Sequence, residues 1–154
     1  MENKYENRIK KVFDKISPSS EAFLITNPKN IEYLTGFRGS FSIALLTWKG
    51  CYLFVDFRYI EQAKKEATGE IIFFKDSWID ILNKLIDEMQ IKKLSFEVTC
   101  TYDTFLKLKD KTKLELIPEH YVIEHIRAVK EEEEIKNIKE AIKIAENALL
   151  QTKH

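Results

Sequence analysis

The segment Gly36-Phe37-Arg38-Gly39-Ser40 holds the residue types in this chain best suited to recognising a ligand. An aromatic ring and a guanidinium stand between two glycines, and a guanidinium suits bidentate binding of a carboxylate. The spacing predicts a glycine-hinged loop that exposes Phe37 and Arg38. The same two-glycine frame matches the clamp by which one RNA-binding fold grips phosphates, although that clamp joins two helices. Here an apolar, strand-like run over residues 41–48 follows at once. The 25 basic and 25 acidic side chains also cancel, so no global field draws nucleic acid or an anionic membrane.

Other chemistry-bearing residues do not assemble into a centre. A metal site needs three or four convergent ligands, and Glu119-His120 with Glu124-His125 is the one cluster to weigh. The step from His120 to Glu124-His125 is one residue longer than an inverted zinc motif requires. The segment follows Pro118 and reads as extended, which turns neighbouring side chains to opposite sides, so these are expected to be solvated residues on a connector. Ser40 follows a glycine but lies in no nucleophile elbow and has no histidine nearby. Asp56 closes an apolar strand, a usual place for an active-site carboxylate in an open sheet. Arg58 two residues on can pair with it, so an ion pair or a helix cap is expected instead. No phosphate-binding glycine loop occurs.

These residues need a scaffold, and the apolar pattern supplies one. Residues 6–16 carry Ile9, Val12, Phe13 and Ile16 at helical spacing. Residues 22–26, 41–48 and 51–56 read as strands, the last two joined by Lys49-Gly50 as a tight hairpin. Between the first two, Asn27-Pro28 opens a turn and a single short helical turn carries Ile31 and Leu34. Helices are expected over 59–67, 78–89 and 101–108, and short strands at 71–74, 94–96 and 114–117, the last stopped by Pro118. A hairpin followed by crossover helices makes a mixed sheet covered by helices, an α/β fold.

The chain is long enough for one domain of ordinary size. Cys51 and Cys100 share no framework spacing and fall in or beside apolar runs, as reduced thiols in a cytoplasmic protein do. The opening Met1-Glu2-Asn3-Lys4-Tyr5 is polar, unlike a signal peptide. No apolar run approaches the roughly 18–20 residues that span a bilayer. Residues 130–151 form a separate feature: a long helix opened by Glu131–Glu134, where the helix dipole favours negative charge. Its stripe of Ile135, Ile138, Ile142, Ala145 and Leu149 demands a partner surface, which the domain itself or a second copy could supply but which is expected in sequence beyond residue 154.

Asn27-Pro28-Lys29-Asn30-Ile31-Glu32-Tyr33-Leu34-Thr35-Gly36-Phe37, followed by a strand and Asp56-Phe57-Arg58-Tyr59, resembles the N-terminal domain of the creatinase/prolidase superfamily. Its nearest branch is the Xaa-Pro peptidases, aminopeptidase P and Xaa-Pro dipeptidase. Arg127-Ala128-Val129-Lys130, Glu134-Ile135 and Ala141-Ile142-Lys143-Ile144-Ala145 are similar to the start of that family's catalytic "pita-bread" domain. The resemblance implies a ribonuclease-H-like α/β domain over residues 1–126, with 127–154 as linker and first helix of a further domain. It implies two divalent metal ions (manganese, cobalt or zinc) on carboxylates and a histidine of that further domain. This chain is then expected to hold no catalytic residue and no metal ligand, and to be inactive alone. Its implied roles are dimerisation and control of active-site access, with its own catalytic domain, a second copy and proline-containing peptides as partners. Phe37 and Arg38 would act at the neighbouring subunit's site, Arg38 on a substrate carboxylate. The same resemblance also covers non-catalytic peptide-binding relatives and creatinase-type amidinohydrolases.

Overall fold

The computed structural model describes residues 4–152; the polar residues 1–3 and the closing residues 153–154 lie outside the described part. The first helix, α1 (Lys4–Phe13), buries Val12 and, less expectedly, Arg8. It ends earlier than the periodicity suggests, because a turn before Ser17-Pro18 takes over, yet Ile16 still reaches the core. Strand β1 (Ala22–Ile25) then leads into α2 (Pro28–Thr35), eight residues rather than one turn. Proline at the first helical position is already set for a helix, and the Asn27 side chain caps it by accepting from Lys29 N–H at 3.0 Å. Gly36 ends it in the left-handed region at φ 83°, which favours glycine.

Strands β2 (Ile43–Thr47) and β3 (Gly50–Val55) form the expected hairpin, but its two-residue loop is Trp48-Lys49. Thr47 pairs with Gly50, whose φ of 137° lets the backbone turn back within two residues. There follow α3 (Ile60–Glu66), β4 (Glu70–Phe73), α4 (Trp78–Met89), β5 (Lys93–Glu97), α5 (Tyr102–Lys111) and β6 (Glu115–Glu119). Pro118 does not stop β6; it sits inside it. An edge strand tolerates proline because its outward N–H has no ladder partner to lose. The segment expected to be extended beyond Pro118 turns instead into α6 (Val122–Ala128). The last helix is α7 (Glu132–Gln151), opened by a capping box between Glu131 and Glu134.

The six strands form one sheet in the order β4-β3-β2-β1-β5-β6. Pairs β1–β2 and β2–β3 are antiparallel and the other three are parallel, so the sheet is mixed as expected. The central strands read as unbroken apolar runs because both faces are covered. Phe23, Ile25, Ala44, Leu46, Leu53 and Val55 meet α1, α2, α3 and α6 on one face. Leu24, Leu45, Phe54 and Leu94 meet α4 and α5 on the other. Among the described helices, α7 alone has no buried residue.

Candidate functional site

Helix α2 is the hub from which the candidate site is built. Its N-terminus sits where β1 and β5 run side by side, and there Glu97 closes β5 with its carboxylate turned inward. One Glu97 oxygen accepts the backbone N–H groups of Thr26 at 2.7 Å and Asn27 at 2.8 Å. The other accepts from Asn30 Nδ2 at 2.6 Å. Burial pushes the Glu97 carboxyl above its ordinary value, against the pull of these donors.

Asn30, fully buried, spends both ends of its amide. Its nitrogen donates to Glu97 and to Glu124 of α6, the latter at 2.7 Å, while its oxygen accepts from Arg127 Nη1 at 2.8 Å. Glu124 is therefore not a solvated connector residue, as its place beside His125 suggested, because α6 turns it toward the sheet. Glu119 is likewise engaged, accepting from Ser17 N–H and Ser95 Oγ. His120 and His125 are exposed, and among the described residues no group of three or more His, Cys, Asp or Glu is placed to hold a metal ion.

One turn along α2, a second clamp forms. Arg8 of α1 donates to the Tyr33 carbonyl at 2.8 Å and to Glu131 Oε2 at 2.7 Å, and its guanidinium lies 3.9 Å from the Tyr33 ring centre. The Arg8 hydrogen bond and charge hold the Glu131 carboxyl below its ordinary value. Arg8, Arg127 and Glu134 line a cleft of about 460 Å³ between α1, α2 and the start of α7, with Lys29, Glu32 and Arg38 at α2's side.

The C-terminal end of α2 launches the residues expected to meet a ligand, and the two behave differently. Phe37 is not exposed: at 1% exposure it packs in the core, edge-on to Tyr59 at 5.9 Å between ring centres. Its apolar ring gains more from burial than from display, and Gly39 makes room, since a β-carbon there would overlap the ring. Arg38 does project, its side chain 75% exposed, with Nε 3.3 Å from Glu32. Its backbone N–H donates to Glu66 at 3.0 Å. Beyond it Ser40 Oγ and Tyr59 OH lie 2.5 Å apart. Asp56 pairs with Arg58 at 2.6 Å, as their spacing suggested, and that hydrogen bond lowers the Asp56 carboxyl.

Sequence reasoning missed Arg8, Asn30, Glu97 and Arg127 as a connected set. The available signal was a carboxylate ending the apolar run Leu94-Ser95-Phe96, where an unpaired charge would be costly.

The assembled geometry can be set beside known proteins. The chain is 37% identical over 131 residues to an uncharacterized peptidase, YqhT, of Bacillus subtilis, covering 83% of this chain and 37% of that one. It is 30% identical over 148 residues to an Xaa-Pro dipeptidase of Pyrococcus horikoshii, covering 93% of this chain and 40% of that one. Among solved structures, an Xaa-Pro dipeptidase from Bacillus anthracis superimposes with a TM-score of 0.88 at 33% identity, over 96% of this chain and 42% of that one. The N-terminal domain of the cytoplasmic peptidase PepQ from Mycobacterium tuberculosis gives 0.69 at 27% identity, over 77% of this chain and 97% of that one. The chain thus spans about two fifths of the curated relatives it matches. The family model of the creatinase/prolidase N-terminal domain matches residues 8–129, and the chain belongs to that family.

Proposed function

We propose that this chain is the non-catalytic N-terminal domain of a metal-dependent Xaa-Pro peptidase, a cytoplasmic homodimer in which it serves subunit contact and active-site access. The observation that carries the reading is α7. Its Ile135, Ile138, Ile142 and Leu149 are exposed along one stripe, directly after the segment matched by the family model. Such a stripe calls for a covering surface, and the relatives are long enough to supply one as a following domain. That domain would hold the two divalent ions that the family resemblance implies.

In this reading Arg38 is the residue that meets a substrate carboxylate, at the site of the neighbouring subunit. Phe37 supports it from below by anchoring the loop in the core. Arg38 must leave Glu32 to do so, and an exposed pair of this kind is worth only about 0–1 kcal/mol. The test is steady-state kinetics of the longer protein on Xaa-Pro dipeptides, with manganese, cobalt or zinc supplied. Arg38→Ala is expected to raise KM several-fold with kcat little changed. Equal kinetics for the two proteins would remove Arg38 from the site, and no cleavage of any Xaa-Pro peptide would remove the peptidase reading.

A further inference from the structure

We propose that Asn30 is a positioning residue: its amide locks the linker helix α6 to the body, so that the Arg38 loop and the start of α7 are held as one rigid unit. This rests in part on the proposed function, since it says how a loop on this domain would keep its place relative to a following one.

The geometry is specific. Asn30 and Tyr33 lie three apart and so share one face of α2. Through Asn30 that face holds Glu124 and Arg127 of α6; through the Tyr33 carbonyl and Arg8 it holds Glu131, the N-cap of α7. The far end of the same helix carries Gly36 and Arg38. A buried amide whose nitrogen meets two carboxylates and whose oxygen meets a guanidinium tolerates one orientation only. Reversed, it would set oxygen against both carboxylates and nitrogen against Arg127. No apolar residue could hold α6 in that register, because Glu97, Glu124 and Arg127 would each lose a partner.

The charged and titratable groups around Asn30 are Glu97 of β5 and Glu124 and Arg127 of α6, with the Cys100 thiol behind Glu97. Replacing the amide with a carboxyl would place a third acid among two. Asn30→Asp should therefore loosen α6 at neutral pH and tighten it in part as acid protonates the new group, whose single O–H can donate to Glu97 or Glu124 where the amide donated to both.

Hydrogen exchange read by mass spectrometry on the 154-residue chain tests this directly. Glu124→Ala and Arg127→Met change half-exposed residues and should leave the sheet protected. Each is expected to lower protection of the α6 amides and the first turn of α7 roughly tenfold, an opening local to that unit. Glu124→Gln, which keeps an oxygen for Asn30, should restore most of it. Asn30→Asp should regain part of the lost protection on acidification, after correction for the wild type at each pH, because it recovers one of the two donated bonds. Unchanged α6 protection in Glu124→Ala and Arg127→Met overturns the proposal, as does loosening that spreads equally through the sheet. In the longer protein the same variants should raise KM more than they change kcat. If α6 loosens while no Xaa-Pro peptide is cleaved by the unmutated protein, the lock stands and the functional reading falls.

Discussion

Arg8 and Glu131 are 123 residues apart in sequence, and their side chains meet at 2.7 Å with Arg8 only 7% exposed. The pair ties the first helix to the cap of the last. Glu131 also accepts from the N3 backbone of α7, so one carboxylate closes both the capping box and the clamp.

Arg8→Ala should therefore destabilise the chain by roughly 1.5–3 kcal/mol, the range for hydrogen bonds to charged groups. Chemical denaturation measures it. The pH dependence has a definite sign. The Glu131 carboxyl is lowered from 4.5, so its contribution is present above that value and lost as pH falls through the folded-state value. The stability gap between wild type and Glu131→Gln should be widest near neutrality and close in acid.

Glu97 should show the opposite slope. Its carboxyl is raised from 4.5 by burial, so its contribution is fully present below 4.5 and is lost as pH rises through the folded-state value. Stability of the wild type relative to Glu97→Gln, followed by denaturation across pH, should fall as the buried carboxyl ionises. Near neutrality the variant still exchanges an acceptor facing Asn30 for a donor, which costs about 1–3 kcal/mol.

Phe37 and Arg38 are neighbours with separate duties, and stability measurements should divide them. Phe37→Ala should cost about 3–5 kcal/mol, as for other fully buried phenylalanines. Gly39→Ala should cost about 1–3 kcal/mol because the added methyl overlaps the Phe37 ring. Arg38→Ala should change stability by no more than about 0.5 kcal/mol. A large loss from Arg38→Ala would mark it as structural.

The α7 stripe gives a test that depends on context. Ile142→Glu on the half-exposed stripe should leave the melting temperature of the 154-residue chain almost unchanged. In the longer protein the same change should cost at least about 1.5–3 kcal/mol, because a charge would replace a buried aliphatic. Equal, small effects in both would mean that the stripe stays uncovered.

Much of the frame is legible in the order of apolar runs along the chain. Residues 22–26, 41–48 and 51–56 are apolar almost throughout because both faces of the central strands are buried, and the helix at 78–89 matches α4 residue for residue. Local rules fail where tertiary placement decides. Pro118 reads as a stop, yet an edge strand accommodates it, and the chain beyond it becomes α6. Phe37 reads as displayed because its glycine neighbours look like a hinge, but Gly39 is there to admit the ring. The Glu97–Asn30–Arg127 set cannot be read from spacing, since Glu97 and Arg127 lie 67 and 97 residues from Asn30 and no periodicity links them.

The most direct test of the central claim is hydrolysis of an Xaa-Pro dipeptide series by the protein encoded by the longer reading frame, with and without residues 1–126. Cleavage of Xaa-Pro bonds by the full protein, with KM raised or activity lost in the shortened one, is the predicted result. A longer protein that folds, takes up divalent metal and cleaves no Xaa-Pro bond would contradict the account.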